Sequence, residues 1–207
     1  MPKTSLILSN PNSMNFYRDQ ITQKSWQILR SLSSRYQFTL IGGWAVWLYT
    51  HQLKSKDIDI VVEFDQLEKL RRDYSLFKND RLKKYEVAQD EIQIDVYVPH
   101  YSKLGIPAEQ LLSRFQSTEG FHLPIPEDLL LLKHTAFLGR AGSAKGRKDL
   151  LDIISLLKLP YLNWSLIPKS ILNPVVKETN VPELNLNNHQ FSRLKKSWLS
   201  HYLDKLS

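Results

Sequence analysis

The amino-acid sequence predicts an α+β fold in which a small mixed sheet is flanked by helices and is followed by a helical C-terminal domain. Segments with helical periodicity alternate with segments of strand periodicity in the first 100 residues. Pro124 and Pro126 then interrupt the chain, and the segments after them are mostly helical in pattern. We therefore expect two domains, over residues 1–122 and 123–207.

Each predicted element rests on its own pattern. Asn12 or Ser13 can cap the first helix, and Asp65 can cap the third. Ile58 and Ile60 alternate with aspartates, which is the period of a half-buried strand. The predicted helices cover residues 12–34, 44–51, 65–77, 127–138, 144–158 and 191–206. The predicted strands cover residues 37–41, 57–62, 82–88 and 91–98.

The composition excludes some chemistries and favours an acidic partner. The 207 residues include no cysteine, which excludes disulfides, thiolate metal sites and thiol nucleophiles. With 28 Lys and Arg against 21 Asp and Glu, the net charge is +7, which favours binding to nucleic acid or a nucleotide. No apolar run approaches the roughly 20 residues that span a bilayer, and the N-terminus lacks a secretory pattern. We expect a cytoplasmic protein without a membrane partner.

Three aspartates form the candidate catalytic set. Asp57 and Asp59 lie two residues apart at the start of a predicted strand, so their side chains share one face. Asp95 lies within a later predicted strand, also on the face away from the core. If these strands pair, three repelling carboxylates meet and require a cation. Oxygen ligands without histidine or cysteine suit Mg²⁺ or Mn²⁺.

A glycine pair completes the pattern. Gly42 and Gly43 follow a predicted strand and precede a helix, where glycines allow close backbone approach and free amides can bind phosphate. Thirteen residues separate Gly43 from Asp57, enough for a short helix and a return loop. Phosphate-binding amides beside a carboxylate cluster favour phosphoryl or nucleotidyl transfer with two metal ions.

Other carboxylate and phosphate motifs fit less well. A calcium-binding helix-loop-helix needs a glycine and a later glutamate that the segment after Asp57 does not supply. In haloacid-dehalogenase-type phosphatases and many sugar transferases an apolar strand precedes the aspartate pair, whereas here it follows. No Gly-Lys-Ser/Thr occurs, which excludes a P-loop.

The order Ile41-Gly42-Gly43, Asp57-Ile58-Asp59 and then Asp95 resembles the nucleotidyltransferase superfamily of the DNA polymerase beta type. Residues 42–46, 56–61 and 126–133 are similar to the AbiEii-like toxin nucleotidyltransferases, and the resemblance covers about residues 36–158. It implies the nucleotidyltransferase fold and a transferase that moves a nucleoside monophosphate from a nucleoside triphosphate to a hydroxyl and releases pyrophosphate.

The resemblance also implies roles for individual residues. Asp57 and Asp59 would bind two metal ions, and Asp95 would bind the ion nearer the acceptor hydroxyl and could also take its proton. The residues implied to bind the nucleotide are Gly42, Gly43, Lys133, Arg147, Lys148 and Asp149. An aspartate near position 149 would anchor Lys133 or the nucleotide, and Asp149 is preferred to Asp152. Many members have serine where this chain has Gly43, so one hydroxyl contact to phosphate is missing.

Three hypotheses describe what the chain acts on or binds. The positive charge favours RNA, in particular a tRNA 3′ end, and the resemblance implies a toxin paired with an antitoxin protein. A small hydroxylated molecule such as an aminoglycoside is a second acceptor, although the net charge counts against it. The third hypothesis is a non-catalytic nucleotide- or RNA-binding module, against which the three repelling aspartates argue.

Overall fold

The computed structural model describes residues 11–171. Its helices are α1 Pro11–Arg35, α2 Gly42–Thr50, α3 Phe64–Asp73, α4 Ala108–Ser113, α5 Pro126–Arg140 and α6 Ala144–Leu157. Its strands are β1 Thr39–Ile41, β2 Ile58–Val61, β3 Phe77–Asn79, β4 Lys84–Gln89, β5 Ile92–Tyr97, β6 Phe115–Thr118 and β7 Phe121–Pro124. Two short 3₁₀ turns, Trp164–Leu166 and Lys169–Ile171, follow α6.

The strands form one mixed sheet in the order β3-β4-β5-β2-β1-β7-β6. The pairs β2–β5 and β1–β7 are parallel, and the other neighbours are antiparallel. This sheet with its surrounding helices confirms the predicted α+β class. It also makes β2 and β5 direct neighbours, which is the pairing that the carboxylate argument requires.

The alternation in β2 and β5 sets the two faces of this part of the sheet. Ile58, Ile60, Ile94 and Val96 are almost completely buried, and they share one hydrophobic cluster with Leu29 of α1. Because side chains alternate along a strand, the aspartates between these residues lie on the opposite face. Burial of one face therefore places the charged residues together on the other.

The predicted third helix is shorter than expected. Asp65 lies in the first turn of α3, and Glu63 takes the N-cap position. The helix ends at Asp73, because Tyr74 is extended (φ −135°, ψ 149°), and Phe77 begins β3 instead of continuing the helix. The expectation that Phe77 is helical was wrong.

Three elements between the central strands and α5 were not predicted. They are α4, β6 and β7, and β7 pairs with β1 through Thr39 and His122. The predicted helix over residues 191–206 lies outside the described residues.

The predicted boundary between the two domains falls within β7. One buried cluster joins residues on both sides of it, including Ile60 of the sheet, Leu129 of α5 and Ile153 of α6. The division into two domains stays a prediction. Within residues 11–171, no helix has the length and apolar character needed to cross a bilayer.

Candidate active site

The three candidate catalytic aspartates lie at the centre of the sheet. Asp59 of β2 is the register partner of Asp95 of β5, and Asp57 directly precedes β2. All three side chains are partly buried. The structure therefore brings together two carboxylates from neighbouring strands and a third from two residues earlier on one of them.

Asp59 has a strongly perturbed carboxyl group. Its pKa is raised to about 6, first by burial and then by the neighbouring Asp95 and Asp57 carboxylates, while the Lys133 and Lys84 ammonium groups act in the opposite direction. The carboxylates therefore repel one another more strongly than the surrounding lysines compensate. The three carboxylates together have excess negative charge that a bound cation would neutralise.

The two glycines form the wall of the site opposite Asp59. Gly42 has φ +70°, and a Cβ atom there would collide with the Asp59 carboxylate. Gly43 is the second residue of α2. The N-cap residue of this helix, Ile41, provides no side-chain hydrogen bond to the first amides. The amides at this helix N-terminus are therefore close to the aspartates and are suited to an anionic ligand.

The position beside Gly43 is occupied by a hydroxyl from another segment. A Cβ atom on Gly43 would lie 2.7 Å from Ser55 Oγ and 3.1 Å from Lys148 Nζ. Lys148 Nζ donates to Ser55 Oγ at 3.3 Å. The buried Ser55 thus places a hydroxyl, and Lys148 an ammonium, where a serine at position 43 would project. Burial lowers the pKa of Lys148.

Helices α5 and α6 contribute a second positive charge. Lys133 of α5 is buried, and its Nζ lies 2.6 Å from Asp152 Oδ2 and 3.5 Å from Asp149 Oδ1. Burial alone lowers the pKa of Lys133, but Asp152 and Asp149 outweigh that effect and raise it. The ammonium also interacts electrostatically with Asp59. Lys133 therefore remains charged and is fixed beside the carboxylates.

Asp149 has a closer partner than Lys133. Arg140 donates from Nε and an Nη atom to both carboxylate oxygens of Asp149, at 2.5 and 2.8 Å. The closer anchor of Lys133 is Asp152, the residue that sequence analysis ranked second. Arg147 is exposed and makes no side-chain hydrogen bond or ion pair within residues 11–171; the structure does not bring it to the other candidate residues.

Three residues of the site were not predicted: Lys84, Tyr97 and Ser55. Lys84 Nζ contacts Asp95 Oδ2 at 2.6 Å, and burial together with Asp59 and Asp95 raises the pKa of Tyr97. The signal for Tyr97 was present, because it follows Asp95 by two residues on one strand. Ser55 carried no such signal, since only the folded chain places it here. Arg140 begins a basic, glycine-containing segment over residues 140–147, a composition suited to phosphate.

The donor set fits a divalent cation with oxygen ligands. Asp57, Asp59 and Asp95 supply carboxylates only, which suits Mg²⁺ or Mn²⁺. In the part of the chain that the structure describes, no group of three or more His, Asp or Glu side chains is already arranged to hold an ion. One oxygen of Asp95 is in contact with Lys84.

Comparison with known proteins gave structural similarities alone. No family model and no curated protein matches the chain. It is similar to the structure of an antigenic nucleotidyltransferase-like protein from Paracoccidioides brasiliensis, with 18% identity over 86% of this chain and 93% of that one and a TM-score of 0.46. It is also similar to JHP933 from Helicobacter pylori, with 18% identity over 95% and 98% of the two chains and a TM-score of 0.46. The Megavirus polyadenylate synthase shares 11% identity over 88% of this chain and 45% of its own, with a TM-score of 0.44.

Proposed function

We propose that this chain is a metal-dependent nucleotidyltransferase that moves a nucleoside monophosphate from a nucleoside triphosphate to an acceptor hydroxyl. The observation that carries the proposal is the placement of Asp59. Its carboxylate packs against Gly42 at the N-terminus of α2 and lies opposite Asp95 on the neighbouring strand. A phosphate group bound by the α2 amides would therefore lie directly beside the carboxylates.

The triphosphate would be held by backbone and side-chain donors on one side of the site. The amides of Gly42 and Gly43 and the dipole of α2 favour negative charge. Ser55 and Lys148 add a hydroxyl and an ammonium beside Gly43. Lys133, held by Asp152, supplies a second fixed positive charge.

The carboxylates would serve the reacting end of the nucleotide. Asp57, Asp59 and Asp95 would hold two Mg²⁺ or Mn²⁺ ions, which when bound neutralise negative charge around the α-phosphorus. Asp95 would accept the proton of the acceptor hydroxyl. A bond forms between the acceptor oxygen and the α-phosphorus, the bond to the bridging oxygen of the β-phosphate breaks, and pyrophosphate leaves.

The proposed acceptor is RNA, with a tRNA 3′ end as the first choice. The net charge of +7 supports this choice, because lysines and arginines neutralise nucleic-acid phosphates. We extend the proposal to a cytoplasmic toxin that an antitoxin protein restrains, on the strength of the sequence resemblance. Asp149 is included as a secondary residue of the nucleotide site, where it acts through Arg140.

The proposal is tested by label transfer. The protein is incubated with total tRNA, Mg²⁺ or Mn²⁺ and each α-³²P-labelled nucleoside triphosphate in turn, beside an Asp59→Asn variant. We expect metal-dependent labelling of RNA by the wild type alone, with one nucleotide preferred.

Other results would redirect or reject the proposal. Pyrophosphate release with an aminoglycoside and no label in RNA would support nucleotidyl transfer but would show that the acceptor is a small molecule. Equal labelling by wild type and Asp59→Asn would reject the assigned catalytic set. Nucleotide or RNA binding without transfer to any acceptor would favour the non-catalytic binding module.

A further inference from the structure

A fourth carboxylate extends the acidic row beyond the three predicted aspartates. Glu86 of β4 is the register partner of Asp95, and Asp95 is the partner of Asp59. Partners on neighbouring strands are about 4.8 Å apart. Glu86, Asp95 and Asp59 therefore form a straight row of carboxylates across three strands, on the face of the sheet that carries the candidate active site.

One lysine is inserted into this row. The Lys84 side chain is 9% exposed, and its Nζ lies 2.6 Å from Asp95 Oδ2 and 2.9 Å from Glu86 Oε1. Gln93 Nε2 donates to the other oxygen of Asp95 at 3.0 Å. Both oxygens of Asp95 thus have donors, so a cation that binds Asp95 must displace one of these donors or share an oxygen with it.

We propose that Lys84 is a positioning residue whose ammonium serves as a built-in counter-ion for Asp95, and that a divalent cation displaces it from Asp95 toward Glu86. The inference rests on the proposed function, because it concerns the affinity of the same carboxylates for metal. Lys84 stabilises the metal-free site by separating two carboxylates, and it opposes metal binding because the two cations repel each other.

Glu86 makes the displacement feasible. It already holds the ammonium at 2.9 Å and is the more exposed of the two partners, with 22% of its side chain accessible against 13% for Asp95. Asn79 Nδ2 donates to Glu86 Oε1 at 3.1 Å and fixes the carboxylate in place. Lys84 can therefore release Asp95 without losing its buried ion pair. Glu86 would accordingly promote metal binding without being a ligand itself.

The test is Mn²⁺ binding in the absence of nucleotide, followed by electron paramagnetic resonance and calorimetry. Lys84→Met removes the competing charge and should tighten Mn²⁺ binding by roughly tenfold, which is the scale of one ammonium acting on a divalent ion at about 5 Å in a high dielectric. Lys78→Met is the matched control, since Lys78 lies in the same hairpin and pairs with exposed Asp80. The Mn²⁺ affinity of Lys78→Met should stay within about twofold of wild type. Lys84→Arg keeps the charge and should not tighten binding.

Unchanged or weaker Mn²⁺ binding by Lys84→Met would overturn the inference. Should Lys84→Met fail to fold, Glu86→Gln tests the inference. Glutamine is similar in shape to glutamate, and the Glu86 side chain is partly exposed. It should weaken Mn²⁺ binding, and unchanged binding would count against the inference. Where both fold, Glu86→Gln should weaken binding more in the wild type than in Lys84→Met.

The Asp59→Asn variant separates this inference from the proposed function. If wild type and Lys84→Met both bind Mn²⁺ no better than their Asp59→Asn counterparts, the metal role of the aspartates fails and the inference fails with it. If Asp59-dependent binding is present but insensitive to Lys84, the inference alone fails.

Discussion

The ionised form of Asp59 is destabilised by the clustering of the carboxylates. Its pKa is about 6 in the folded chain, against 3.8 for an ordinary aspartate, because it is buried and lies beside Asp95 and Asp57. Between these pH values the folded state binds more protons than the unfolded state, so the free energy of unfolding falls as pH rises from about 4 to about 6. Above about pH 6 Asp59 is ionised in both states, and the destabilisation of the folded state stays at its full value.

Asp59→Asn should therefore stabilise the metal-free protein. At pH 7.5 we expect its free energy of unfolding to exceed that of wild type by about 1–3 kcal/mol, the scale set by the pKa shift. The gain should shrink as pH falls toward 4, where wild-type Asp59 is protonated. Urea unfolding at several pH values measures this. Asp90→Asn, at an exposed turn, is the control with the same charge change.

An Asp59→Asn protein that is no more stable than wild type at pH 7.5 would contradict this description of the site. It would mean that existing partners already compensate the Asp59 charge.

Gly42 is required for two reasons that can be separated. Its φ of +70° strains any other residue, and a Cβ atom would also collide with Asp59. We expect Gly42→Ala to lower the free energy of unfolding by about 2–4 kcal/mol and to remove activity. Gly120→Ala is the matched control, because Gly120 has φ +83° with open space around it, and it should cost only about 1 kcal/mol. Equal losses in urea unfolding would show that the collision with Asp59 contributes nothing.

The residues that the sequence revealed are those marked by local spacing. Asp57, Asp59 and the glycine pair are close in sequence to a strand or helix end, so their placement follows from local periodicity. Residues 69–84 include seven lysines and arginines, a composition typical of a solvated surface. Burial of Lys84 between Glu86 and Asp95 depends instead on strand register. The hydrophobic pattern and the turn set the register of a hairpin, but neither shows which charged side chain will contact a carboxylate on the next strand.

Helices α5 and α6 are joined at the site by buried ion pairs. Asp152 is fully buried, and Lys133 is its ionic partner at 2.6 Å. Asp152→Asn should leave the Lys133 charge incompletely compensated and lower the free energy of unfolding by about 3 kcal/mol. Thermal or urea unfolding checks this, with Asp65→Asn as the control, since Asp65 pairs with Lys69 on the exposed side of α3 at 3.7 Å.

The same pair offers a rescue experiment. Lys133→Met combined with Asp152→Asn removes both charges and should recover part of the lost stability while activity stays absent. A double variant as unstable as Asp152→Asn alone would show that the aspartate acts through packing instead of charge.

At the level of elements, the long helices were predicted most accurately. The helices α1, α5 and α6 have long apolar patterns, and their predicted bounds agree closely with the structure. The strands β3, β6 and β7 have three or four residues each, and β3 and β6 have mainly exposed or partly exposed side chains. Such short segments, of which β3 and β6 lie at the edges of the sheet, lack a periodic signal, and pairing with neighbouring strands defines them.

The whole molecule combines an acidic row with a positive net charge of +7. If RNA is the acceptor, the affinity for tRNA should fall steeply with salt, with the logarithm of the binding constant linear in the logarithm of salt concentration. Fluorescence anisotropy with labelled tRNA between about 50 and 300 mM KCl measures this slope. A salt-independent affinity would exclude phosphate contacts as the basis of binding and would favour a small acceptor.

The central claim is that Asp57, Asp59 and Asp95 hold metal beside a triphosphate bound at Gly42 and Gly43. A crystal soaked with Mn²⁺ and a nucleoside triphosphate carrying a non-hydrolysable α,β-bridge tests this most directly. We predict anomalous density between the three carboxylates, phosphate oxygens on the amides that begin α2, and the Lys84 ammonium nearer Glu86 than Asp95. Anomalous density elsewhere, or a nucleotide bound away from α2, would contradict the account.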